Sequence, residues 1–145
     1  MKVKIQIDRD LSEEFVEFHV RAISDEVSRF AEIIEKGNQV LTGIDECDRI
    51  AIIQPEEIIS FCAEKKWCRI HTAGTNYSCR KRLYELKSLL GPDYIRISKS
   101  IVVNIRKISS VEAVFNGMLL LHMKDGSKEY VSRYYLSDIK ACLGI

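Results

Sequence analysis

A chain of 145 residues, 46% hydrophobic and 30% charged, has room for one ordinary globular domain and a small appendage. Two Pro and seven Gly argue against a long disordered tract, and no run of about 18 apolar residues offers a membrane span. The formal net charge of +1 hides a segregation: residues 1–63 carry 7 Lys/Arg against 14 Asp/Glu, residues 64–107 carry 11 against 3, and residues 108–145 carry 4 against 4. A concentrated basic segment in a neutral chain attracts polyanions, nucleic acid foremost. The opening MKVKIQIDRD lacks the apolar core of a signal peptide, so the expected location is cytoplasmic. Five cysteines, an odd count with no C-x-x-C spacing, are expected to be reduced thiols that pack as small apolar groups, with no metal or cofactor site.

Val3, Ile5 and Ile7 alternate with Lys4 and Gln6, which predicts a short strand, and residues 15–20 predict a returning one. Ser24 offers an N-cap, and Asp25 and Glu26 in the first turn suit the helix dipole. Val27, Phe30, Ala31 and Ile34 then line one helical face, and Gly37-Asn38 reads as the C-cap. This ββα piece is too small to bury its own core and is expected to dock on the rest of the chain or to dimerise. Residues 40–48 read as a connection.

Strands are predicted at 50–53, 58–63, 67–72 and 77–80, with a helical turn from Pro55 and a loop at 73–76. Leu83, Leu86, Leu89 and Leu90 predict a short helix stopped by Gly91-Pro92, and residues 94–97 start another strand. Towards the end, strands at 108–115, 118–123 and 128–131 are joined by Asn116-Gly117 and Asp125-Gly126, strong hairpin signals. Tyr135, Leu136, Ile139 and Leu143 predict a closing amphipathic helix.

No phosphate loop, H-E-x-x-H or G-x-S-x-G is present, and His19, His71 and His122 are scattered over predicted strands. No catalytic residues are assigned and the chain is not expected to be an enzyme. The basic segment is richer. Lys65 and Lys66 precede Trp67, Arg69 and His71 share one strand face, and Arg80, Lys81 and Arg82 lead into the leucine helix. Arg96, Lys99, Arg106 and Lys107 follow, interleaved with Asn76, Ser78, Ser98, Ser100 and Asn104. Long cations neutralise phosphates, while Asn, Arg and Lys also read base edges. The pattern does not support a helix-turn-helix; strand ends and loops would have to do the reading. A competing reading is a protein-interaction or self-assembly module whose acidic and basic segments are complementary surfaces. RNA binding is a third, with Trp67, Tyr77 and Tyr94 as stacking groups, but the known RNA motifs are absent.

Residues 94–143 are specific. Tyr94, Arg96, Ser100, Val103 and Asn104 fall in an aromatic-x-R-x-x-x-S-x-x-V-N core, Ile108 in a hairpin strand, and Asp125, Gly126, Val131, Ser132, Arg133 and Tyr135 in a D-G-x-x-x-x-V-S-R-x-Y turn. This string closely resembles the LytTR DNA-binding domain of bacterial transcription regulators, and the resemblance extends over about residues 46–144. It implies a mainly β fold with short helices (α+β class), three small sheets in layers, preceded by the ββα segment at 1–45. It also implies loops inserted into successive major grooves of direct-repeat sites on double-stranded DNA. The base-contacting positions it implies are His71, Thr75 and Asn76 in one loop, Ser98 and Lys99 in a second, and Arg133 in a turn. Ser98 stands where the family usually has His, which shifts weight to Lys99. Phosphate contacts are expected from Lys65, Lys66, Arg69, Arg80, Lys81, Arg82, Arg96, Ser100, Arg106 and Tyr134. Asn104 is expected to satisfy backbone groups at a turn instead. The 45 residues ahead of the match leave no room for a receiver domain, so the chain resembles stand-alone members, which often work beside a membrane partner.

Overall fold

The computed structural model describes residues 2–36 and 40–145, in two units, Met1–Glu35 and Lys36–Ile145. In the first, helix α1 (Asp25–Lys36) begins where expected: the Ser24 Oγ accepts from the Val27 amide at 3.2 Å, and its carbonyl accepts from Ser28 at 3.0 Å. The two expected strands do not form. Residues 2–8 and 14–20 belong to no ladder, because alternation supplies a face but not the partner backbone that a ladder requires. The first unit is therefore a helix after two unpaired segments rather than ββα. The expected cap at Gly37-Asn38 lies outside the described residues.

The second unit opens with a strand within residues 40–48, where a connection is expected. Strand β1 (Leu41–Ile44) pairs antiparallel with β2 (Ile50–Ile53), from Leu41 opposite Ile53 to Ile44 opposite Ile50. Gly43 hides the strand signal but permits the packing: a Cβ there would lie 2.8 Å from the Ile53 Cδ1 and 3.0 Å from the Tyr77 Cβ. Asp45 closes the hairpin, its Oδ1 accepting from the Cys47 and Arg49 amides at 2.9 and 3.0 Å. The sheet thus begins ahead of the residue-46 boundary.

After a single 3-10 turn at Pro55–Glu57 come β3 (Ile58–Glu64), β4 (Trp67–Thr72), β5 (Asn76–Cys79) and helix α2 (Leu83–Leu90). Gly91, at φ 94°, stops α2 in a conformation that favours glycine, and its N–H donates to the Lys87 carbonyl. Strand β6 (Tyr94–Arg96) then pairs with β7 (Ile101–Asn104), a strand the sequence reading left unassigned. Strands β8 (Ile108–Ala113), β9 (Leu119–Met123) and β10 (Lys128–Val131) form the expected double hairpin, and α3 (Leu136–Leu143) closes the chain. Asn116 (φ 63°) and Gly117 (φ 73°) both take the left-handed geometry of a type I′ turn.

Among the described residues the fold is mainly β with three short helices, as expected, but hydrogen bonding joins its strands into two sheets rather than three. Seven strands run β2-β1-β5-β4-β3-β7-β6, and three run β10-β9-β8. A register shift between Ile58 and Ser60 lets Ile58 and Phe61 share one face of the large sheet while Ile59 faces the other. On the first face Ile58, Phe61, Ile70 and Val102 pack with Leu83 and Leu86 of α2. On the second, Ile59 and Val103 pack with Leu121 and Val131 of the small sheet and Ile139 of α3. Asn104 is buried and does what was expected: its Nδ2 donates to the Ile58 carbonyl at 2.9 Å and its Oδ1 accepts from the Arg106 amide at 3.0 Å. Burial pushes the Cys68 thiol up to about 12, the mark of an inert core thiol.

Candidate nucleic-acid interface

Antiparallel register decides which loops share an end of the large sheet. Glu64 of β3 lies opposite Trp67, Cys68 opposite Cys79, and Cys62 opposite Ile101. The β3–β4 turn with Lys65 and Lys66, the end of β5 leading to Arg80, Lys81 and Arg82, and the β6–β7 loop with Ser98, Lys99 and Ser100 therefore lie at one end. The Ala63 amide near the end of β3 donates to the Ser100 carbonyl at 2.8 Å and ties the β6–β7 loop to that strand end. The 3-10 turn at Arg133–Tyr135 joins the same end, because the Ser132 amide donates to the Ile97 carbonyl at 2.8 Å.

The remaining candidates lie elsewhere. Ile58 pairs with Thr72 and His71 with Asn76, so His71, Thr75 and Asn76 occupy the opposite end. Seven residues of β3 separate the two ends by roughly 20 Å. Arg106 follows β7 at that far end, with its Nε donating to Asp93 at 3.3 Å. The expected contact residues thus divide between the two ends: Lys99 and Arg133 come together with Lys65 and Lys66, and the 71–76 loop does not join them.

The end that carries Lys99 and Arg133 is exposed. Lys65, Lys66, Lys81, Arg82, Lys99 and Arg133 are all exposed, and among the described residues none of them forms an ion pair. The Arg80 Cζ lies over the Trp67 ring, 4.8 Å from its centroid, which steadies its charge at the surface. Arg69 bonds Glu64 at 3.2 Å and is already partly neutralised. Arg96 serves the loop from within: its Nε donates to the Ser98 carbonyl at 3.2 Å and its Nη2 to the Lys99 carbonyl. The Ser98 Oγ accepts from the Ser100 amide at 3.2 Å, so this hydroxyl shapes the loop that presents Lys99. Tyr134 is exposed and meets Tyr135 edge-on at 5.0 Å between ring centroids.

A family model described as the LytTr DNA-binding domain matches residues 48–144. The chain belongs to the LytTR DNA-binding domain family. Two uncharacterized HTH-type transcriptional regulators of Staphylococcus aureus, from strains NCTC 8325 / PS 47 and COL, are each 30% identical to it over 146 residues. Each alignment covers 100% of this chain and 99% of the relative. The LytTr DNA-binding domain of a Bacillus cereus response regulator superposes with a TM-score of 0.69 at 24% identity, covering 75% of this chain and 100% of that one. Among the described residues strands separate α1, α2 and α3 along the chain, so no two of these helices form the helix-turn-helix that the relatives' names carry.

At the far end of this LytTR fold, His71 is a latch. Its Nδ1 lies 2.7 Å from the Asn76 Oδ1 and its Nε2 2.7 Å from the Asp125 Oδ2. Two oxygen acceptors call for two N–H donors, so the geometry suits the imidazolium. Partial burial opposes that charge, but the hydrogen bonds to Asn76 and Asp125, with the Asp125 and Glu129 charges, raise the His71 pKa above 6.5. Burial likewise opposes the Asp125 carboxylate, yet Ser127 and His71 hold it below 3.8. A raised His71 pKa stabilises the fold fully below pH 6.5 and loses that effect as pH rises through the folded value. The Asp125 contribution is present above pH 3.8 and is lost as pH falls through its lowered folded value. The destabilisation by His71→Gln is therefore expected to be largest near pH 5–6 and to shrink above neutrality. Thermal unfolding midpoints of both proteins at pH 5, 7 and 9 test this; a difference independent of pH would contradict it.

Proposed function

We propose that this chain is a sequence-specific transcription regulator that reads direct-repeat DNA by inserting loops into successive major grooves. The reading rests on one observation above all: the Ser132–Ile97 backbone bond joins the Arg133 turn to the Lys99 loop, at the sheet end that also carries Lys65 and Lys66. Arg133 and Lys99 read bases, since a guanidinium grips guanine O6 and N7 bidentately and an ammonium bonds the same atoms. The β3–β4 turn, at the same end, supplies the third loop. Lys81, Arg82, Arg80 and the Tyr134 hydroxyl bind phosphates and hold the register. His71, Asn76 and Arg106 act as supports of the fold.

The site is double-stranded DNA in the cytoplasm, with two copies side by side on paired repeats, and a membrane protein is a candidate source of the controlling signal. Among the described residues no helix is long and apolar enough to cross a membrane. Residues 46–145 supply DNA binding together with β1, and the segment before them supplies association.

Gel shifts with a duplex from the protein's own promoter region and a scrambled duplex test the reading. Arg133→Ala is expected to cost about 1–3 kcal/mol on the specific duplex, roughly 5- to 150-fold in affinity, and much less on the scrambled one. Equal binding to both duplexes by the unaltered chain would favour the interaction-module reading.

A further inference from the structure

The first unit leaves its apolar side chains uncovered. Among its described residues Val27 alone is buried, while Val3, Ile5, Ile7, Phe15, Val16 and Ile23 are each at least 60% exposed. Phe30, Ile33 and Ile34 of α1 add a half-open helical face. We infer that this unit is a self-association surface whose occupant is the same unit of a second copy.

Three observations favour that occupant. The two ladder-free segments carry opposite charge beside their apolar faces. Lys2 and Lys4 alternate with Val3, Ile5 and Ile7, while Glu13 and Glu17 alternate with Val16, Phe18 and Val20. Glu17 and His19, two residues apart, meet at 3.0 Å, as neighbours on one side of an extended segment do. A two-fold axis sets the basic segment of one copy against the acidic segment of the other, and the reverse, so one surface satisfies itself twice. The unit's 5 Lys/Arg against 9 Asp/Glu turn it away from DNA and anionic lipid. The full-length match to the Staphylococcus aureus relatives includes this unit, so it is a shared part of the regulator. The inference does not depend on the DNA reading.

Sedimentation velocity of the full chain in reducing buffer, without DNA, tests it. The expected mass at tens of micromolar is twice the 16.7 kDa chain. Lys4→Glu and Glu17→Lys are each expected to weaken the dimer about tenfold, and the double charge swap to restore it. Thermal unfolding of the second unit monitors the fold of each variant. A monomeric unaltered chain, a dimer indifferent to the single changes, or a swap that fails to restore association would each overturn the inference.

Discussion

Raising the salt from 50 to 200 mM is expected to weaken binding to a single half-site by roughly 500-fold, because about five neutralised phosphates give a log–log slope near −4.5. The structure names the cations behind that slope. Lys65, Lys66, Arg80, Lys81 and Arg82 stand exposed and without ion pairs among the described residues, at one end of the sheet. Each is free to replace condensed counterions on the duplex. Arg69, already bonded to Glu64 at 3.2 Å, should release fewer. Removing Lys81 or Arg82 should each make the slope shallower by about 1. Arg106 is the internal control: it sits at the opposite end, bonded to Asp93, and Arg106→Ala should leave the slope unchanged. Fluorescence-anisotropy titrations across the salt range provide the measurement. A slope shallower than about −2 would mean that this cluster is not the phosphate-binding surface.

Phe61→Ala is expected to cost about 3–5 kcal/mol, the range for emptying a fully buried aromatic site. Phe61 is 0% exposed on β3, which pairs with β4 on one side and β7 on the other. Its ring lies 6.0 Å from that of Tyr94, and it packs with Leu83 and Leu86 beneath α2. Main-chain pairing on both sides restrains collapse of the strand into the void, so the cavity persists. For a chain of this size the melting temperature should fall by roughly 10 °C or more. Phe115 is the contrast: 92% exposed beside the Asn116-Gly117 turn, it should tolerate Ala within about 0.5 kcal/mol. Urea unfolding gives both values, and a Phe61→Ala cost below about 1 kcal/mol would contradict the packing described.

Local chemistry wrote much of this fold into the sequence. The two β8–β10 hairpins announce themselves because Asn-Gly and Asp-Gly meet a backbone need within four residues. Helix α2 is legible from its leucine spacing and from Gly91. Strand β1 was not, because its evidence of burial is a glycine packed against Ile53 and Tyr77, residues 10 and 34 positions away. The segments at 2–8 and 14–20 erred the other way, with strand-like alternation and no ladder. For the site, residue type was legible and position was not. The cations of the basic segment alternate between the two ends of β3, and only strand register sorts Lys65 and Lys99 from His71 and Arg106.

The bond from the Ser132 amide to the Ile97 carbonyl is made by backbone atoms alone. The distance between the Lys99 and Arg133 loops is thus fixed by atoms that every residue type except a proline at 132 supplies. On the proposed reading, side chains at 98, 99 and 133 can be exchanged to suit new operators while the chassis that spaces them stays constant.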